Sequence, residues 1–135
     1  MRDAYLSRSV IGRKPLVVAL VALVAAAVAA VTASASAARV SLSVTPTTVH
    51  RGHLVTISGN AGSCPVGDTV TVMSRAFVRV HEFAGIPAVL TKVRGGQRFR
   101  ATTRIPARKR PGRYGITARC GGGNLGVSAR LTVLR

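Results

Sequence analysis

AVLTKVRGGQRFRATTRI, residues 88–105, contains two runs of alternating residues on either side of a Gly-Gly pair. Val89, Thr91 and Val93 share one side of the first run, and Phe99, Ala101, Thr103 and Ile105 share one side of the second. A period of two means an extended strand with one buried face, whereas a helix would repeat its apolar positions every three to four residues. Two strands, Ala88–Arg94 and Arg98–Ile105, therefore form a hairpin. Placing both apolar sets on one face sets Val93 opposite Phe99, which needs an odd connection, Gly95-Gly96-Gln97. Arg94 then faces Arg98, and Lys92 faces Arg100, on the solvent side. Like charges placed opposite each other are unfavourable, so Lys92, Arg94, Arg98, Arg100 and Arg104 form the candidate site of this chain, a surface for a polyanion.

The same period recurs outward from this hairpin. Val40, Leu42 and Val44 alternate with serines up to Thr45-Pro46, and Val55 and Ile57 follow the turn at Arg51-Gly52 and run to Gly59-Asn60. Val70 and Val72 lie within Thr69–Met73. Pro111-Gly112 introduces Arg113–Cys120, and three glycines precede Leu125–Leu134. The stretch 74–87 is less regular and is open to either a loop or an extra edge strand. About seven short strands bounded by turns specify an all-β fold, an antiparallel sandwich with Greek-key connections.

The beginning of the chain reads differently. Arg2, Arg8, Arg13 and Lys14 precede the wholly apolar run Leu16–Val31, and Thr32–Ala38 supplies small-x-small sites. That order matches a secretory signal helix over residues 1–38, with cleavage after Ala35, Ala37 or Ala38, or an anchor if it is retained. Residues 39–135 are then the exported domain, secreted or held at the cell wall as a monomer, with no membrane span after cleavage. Without Arg2, Arg8, Arg13, Lys14 and the acid Asp3, the remaining net charge falls from +17 to +14, and only Asp68 and Glu82 remain as acids. Such a balance draws anionic partners: wall polymer, nucleic acid or an anionic membrane surface.

Cys64 and Cys120 are the only cysteines. An even count in a small exported domain predicts a disulfide, which would stabilise the fold by roughly 4 kcal/mol through loop closure. If the strands are taken as A to G in order, the second and sixth run the same way, so this bridge would tie the B–C loop to the F–G loop.

Several catalytic classes are excluded on composition. His50 and His53 have no cysteine or acid nearby in sequence as a third metal ligand and are read as solvated turn histidines, and the serines lack a Gly-x-Ser-x-Gly context. Asp68 and Glu82 give no pairing for acid–base work, Asp68 being read instead as a cap before strand C. No enzyme activity, cofactor or metal is expected.

Thr45-Pro46, the Val-Thr-Ile-Ser-Gly run at 55–59, Cys64-Pro65, Phe99, Ile105-Pro106-Ala107, Pro111-Gly112-Arg113-Tyr114 and Leu131-Thr132-Val133 together resemble the secreted Ig-like domains of actinobacteria, over about residues 40–134. The resemblance implies an Ig-like sandwich acting as a non-catalytic binding or surface-interaction module. Tyr114 lies six residues before Cys120 where antibody domains have a spacing of two, which separates this chain from them. Two further function classes are a cationic effector acting on anionic envelopes or nucleic acid, and a small-ligand carrier of the neocarzinostatin type.

Overall fold

The structure, a computed structural model, describes residues 39–135; the expected signal segment and its cleavage sites lie outside the described residues. Nine strands occur in this part: β1 Ser41–Thr45, β2 Thr48–His50, β3 Leu54–Asn60, β4 Thr69–Met73, β5 His81–Phe83, β6 Ile86–Lys92, β7 Arg98–Arg104, β8 Gly112–Cys120 and β9 Gly123–Leu134. They form two sheets, ordered β1-β3-β7 and β2-β9-β8-β4-β6-β5.

Period-two alternation builds both layers around one core. Val44, Val55, Ile57, Phe99 and Ile105 from the first sheet and its margin meet Val70, Val72, Ile116, Ala118, Leu131 and Val133 from the second in a single buried cluster. Most of these face inward between strand neighbours that are polar and face water, as Phe99 does between Arg98 and Arg100 and Ile57 between Thr56 and Ser58. Cys64 and Cys120 are joined, with Cα atoms 6.1 Å apart. The bridge links the β3–β4 loop to the last residue of β8, where the strand order had set it.

Three features differ from the reading of the sequence. Two strands are additional: β2 and β5, each of three residues, are too short for alternation to be visible. In the irregular stretch 74–87 both readings hold in part: residues 74–80 are loop and 81–83 form the edge strand β5, joined to β6 by a tight turn in which Ala84 (φ 51°) and Gly85 (φ 75°) are both left-handed. The sandwich is also not wholly antiparallel, because β2 runs parallel to β9, pairing Val49 with Val133. After Pro46 the chain crosses to the other sheet, and burying Val49 there decides its neighbour.

The third difference concerns the hairpin. Arg94 does pair with Arg98 across Gly95–Gln97, and both Val93 and Phe99 are buried. Beyond that bridge the strands part into different sheets, so Lys92 lies opposite Thr69, and Arg100 opposite Ser58. The expected Lys92–Arg100 pair does not form. Alternation records which side of a strand is buried, and that side is the same whether β6 pairs with β7 or with β4; the five-residue ladder with β4 takes the strand.

The edge of β7 facing away from β3 carries no ladder along its length. It is closed instead by single bonds from three places: Arg94 N–H donates to the Arg98 carbonyl at 2.7 Å, Thr91 Oγ1 to the Arg100 carbonyl at 2.7 Å, and Val78 N–H to the Arg104 carbonyl at 3.1 Å.

Candidate anion-binding face

The outward positions of the three-stranded sheet lie in cross-strand rows. Ser41, Asn60 and Arg98 form one row; Ser43, Ser58 and Arg100 the next; Thr45, Thr56 and Thr102 the third; Leu54 and Arg104 end the face. Hydroxyls therefore line β1 and β3, and guanidinium groups line β7. The face contains no acid. Of the two acids in the described residues, Glu82 lies on β5 and pairs with Arg79 at 2.7 Å, and Asp68 lies in the β3–β4 loop.

A shallow depression of about 430 Å³ collects Arg94, Arg98 and Arg100 beside Ser41, Ser43 and Asn60. Beneath it Gly59, having no side chain, lets β1 and the buried Phe99 ring pack close to β3. A Cβ there would overlap the Ser41 carbonyl oxygen and lie 2.7 Å from Phe99 Cζ. The β6–β7 loop, between Arg94 and Arg98, is held in place: Asn60 Nδ2 donates to the Gly96 carbonyl at 3.1 Å, Asn60 Oδ1 accepts from Gly62 N–H at 2.8 Å, and Gln97 Nε2 donates to the Cys64 carbonyl at 3.3 Å. Ser43 and Ser58 hydroxyls lie 3.2 Å apart. Opposed Arg94 and Arg98 repel each other, and an anion between them would relieve that repulsion.

The five expected residues thus divide. Arg94, Arg98 and Arg100 come together. Lys92 lies on the other sheet, its Nζ donating to Thr69 Oγ1 at 2.7 Å. Arg104 is at the far end of β7, roughly 20 Å from Arg98 at about 3.4 Å per residue, with Nη1 on the Gly52 carbonyl. Ser41, Ser43, Ser58 and Asn60 were not foreseen. Their signal was the serine alternation of residues 41–45 and the outward places of Ser58 and Asn60, which acquire meaning only once β1, β3 and β7 are in register.

Other groupings lack chemistry. Cys64, Asp68 and Cys120 bring ligand-type atoms within 4.8 Å of one another, but both sulfurs are spent in the disulfide and offer no thiolate. The His50 and His53 rings are 6.1 Å apart and tilted, with His50 Nδ1 hydrogen-bonded to the Arg135 carbonyl.

No protein-family profile and no curated protein matches the chain. Among solved structures, it is similar to the Pseudomonas fluorescens alkylpurine DNA glycosylase AlkC bound to DNA containing an abasic site analog, at 19% identity and a TM-score of 0.43. The match covers 73% of this chain and 31% of that one. An overlap this loose, on under a third of the enzyme's length, assigns neither fold nor activity here.

Proposed function

We propose that the chain is an exported, non-catalytic Ig-like module that binds an anionic polymer through the outer face of β1, β3 and β7. The observation that carries this reading is the gathering of Arg94, Arg98 and Arg100, uncompensated by any acid, beside a row of hydroxyls. Guanidinium groups match phosphate and carboxylate oxygens in pairs, and neighbouring hydroxyls suit the sugar or polyol between the charges.

Two features support the Ig-like part. Strands A, B and E of such a domain correspond to β1, β3 and β7, and strands G, F and C to β9, β8 and β4. β6 has moved to the second sheet, where the constant-type arrangement keeps its fourth strand with the first. Tyr114, near the start of β8, donates its hydroxyl to the Arg110 carbonyl at 2.6 Å, the back-reaching bond of a tyrosine corner. The disulfide is compatible with an oxidising, extracellular location.

The test compares two charge-matched variants of the full chain on long-chain polyphosphate across a salt series. Reversing Arg98 and Arg100 to glutamate should weaken binding and reduce the slope of log K against log salt by about two or more. Reversing Arg130 and Arg135 changes net charge equally and should have a much smaller effect. Equal losses would mean that bulk charge alone attracts the polymer, and the face would not be a site.

A further inference from the structure

Apart from the polymer face, a second set of cations surrounds a cleft beyond the other end of β7. One wall is the β4–β5 loop, with Arg75, Phe77 and Arg79; the other is the β7–β8 connection, with Pro106 and Lys109; Tyr114 and Pro87 complete it. The cleft measures about 430 Å³, within the range of small-ligand sites.

Its parts are fixed in place. Phe77 is buried and forms an apolar floor. The loop carrying it is tied by Ala76 N–H to Ser74 Oγ at 3.1 Å and by Val78 N–H to the Arg104 carbonyl. The Tyr114 ring is oriented by its hydroxyl bond to Arg110. Lys109 Nζ lies 5.8 Å from the centre of that ring and donates to the Arg75 carbonyl at 2.6 Å. Arg79 is neutralised by Glu82. Arg75 and Lys109, on facing walls joined by the bond from Lys109 Nζ to the Arg75 carbonyl, then remain as two cations at the cleft with no carboxylate partner among the described residues.

We propose that this cleft binds a small phosphate monoester carrying a planar apolar substituent. Two unpaired cations suit a dianion better than a single carboxylate, and a lysine ammonium recognises phosphate as a point charge. The proline and tyrosine walls offer flat apolar surface on which a planar group can lie. Such a ligand differs from the polymer in size, and the two cation sets are separated by the length of β7, so the sites operate independently.

Phenyl phosphate is the probe, titrated into the full chain at constant ionic strength and followed by the Tyr114 ring resonances and by calorimetry. Saturable shifts are expected, with inorganic phosphate and benzoate each binding roughly tenfold more weakly because each lacks one of the two features recognised. Arg75→Gln with Lys109→Gln should reduce affinity about tenfold or more, whereas Arg130→Gln with Arg135→Gln, which lowers the net charge equally, should leave it within about twofold. Arg75→Gln alone keeps the backbone carbonyl that holds Lys109; weaker binding at an unchanged thermal midpoint would tie the loss to the lost charge. Unmoved Tyr114 resonances, equal binding of benzoate, or equal losses from the two double variants would overturn the proposal.

Discussion

Gly59 shows how one residue joins core packing to the surface above it. Its backbone lies so close to Ser41 and the Phe99 ring that a methyl group has no room, and the nearest obstacle is a carbonyl oxygen held in the β1–β3 ladder. Relief requires either lengthening the ladder or tilting a buried ring. Gly59→Ala should therefore destabilise the fold by about 1–3 kcal/mol, the usual effect of overpacking. Gly115 is the control, since an added Cβ there meets nothing within 4 Å; Gly115→Ala should be close to neutral in the same urea titration. A similar drop in both would make the Gly59 effect one of backbone propensity and not of contact. Tyr114 carries a related lesson: its distance from Cys120 in sequence set the chain apart from antibody domains, but the informative quantity is the hydroxyl contact with Arg110, which spacing from a cysteine does not report.

Among elements, the long strands were readable from the sequence and their partners were not. β1, β3, β4, β7, β8 and β9 announce themselves by alternation and by bounding turns, because each buries one face. β2 and β5 contain three residues each, below the length at which a period can be recognised. The partner of β6 was misread because its buried set fits either neighbour, and with it the Lys92–Arg100 pair. The same limit hid half of the anion face: the rows that join Ser41 to Asn60 and Arg98 cross three strands far apart in the chain, and only register brings them together. The β5–β6 turn invites improvement. Ala84 occupies a left-handed position at φ 51°, which costs an L-residue with a Cβ about 1–2 kcal/mol, whereas asparagine tolerates it and favours two-residue hairpins of this kind. Ala84→Asn should raise stability by roughly 0.5–1 kcal/mol, seen as a higher denaturation midpoint with an unchanged m-value; a lower midpoint would show that the turn is held by something other than its own geometry.

Across the whole molecule, the disulfide spans 56 positions and ties a loop leaving the first sheet to a strand end in the second. Replacing Cys64 and Cys120 together by alanine should lower stability by about 2–5 kcal/mol while the far-ultraviolet spectrum keeps its β signature. Retention of full stability would mean that the shared core alone holds the layers together. Charge is the other global property: with Glu82 engaged by Arg79, the face of β1, β3 and β7 has no anion of its own opposite its arginines. What can meet that face is further limited by the way β7 is finished. Many recognition domains capture a peptide by letting it join a sheet as one more strand, a mode that requires free carbonyls along an edge. Here the carbonyls of Arg98, Arg100 and Arg104 already accept bonds from Arg94, Thr91 and Val78. Strand addition at these three carbonyls of β7 is therefore blocked, and a partner that reaches the arginines across this edge is read through side chains, so it need have no amide backbone at all.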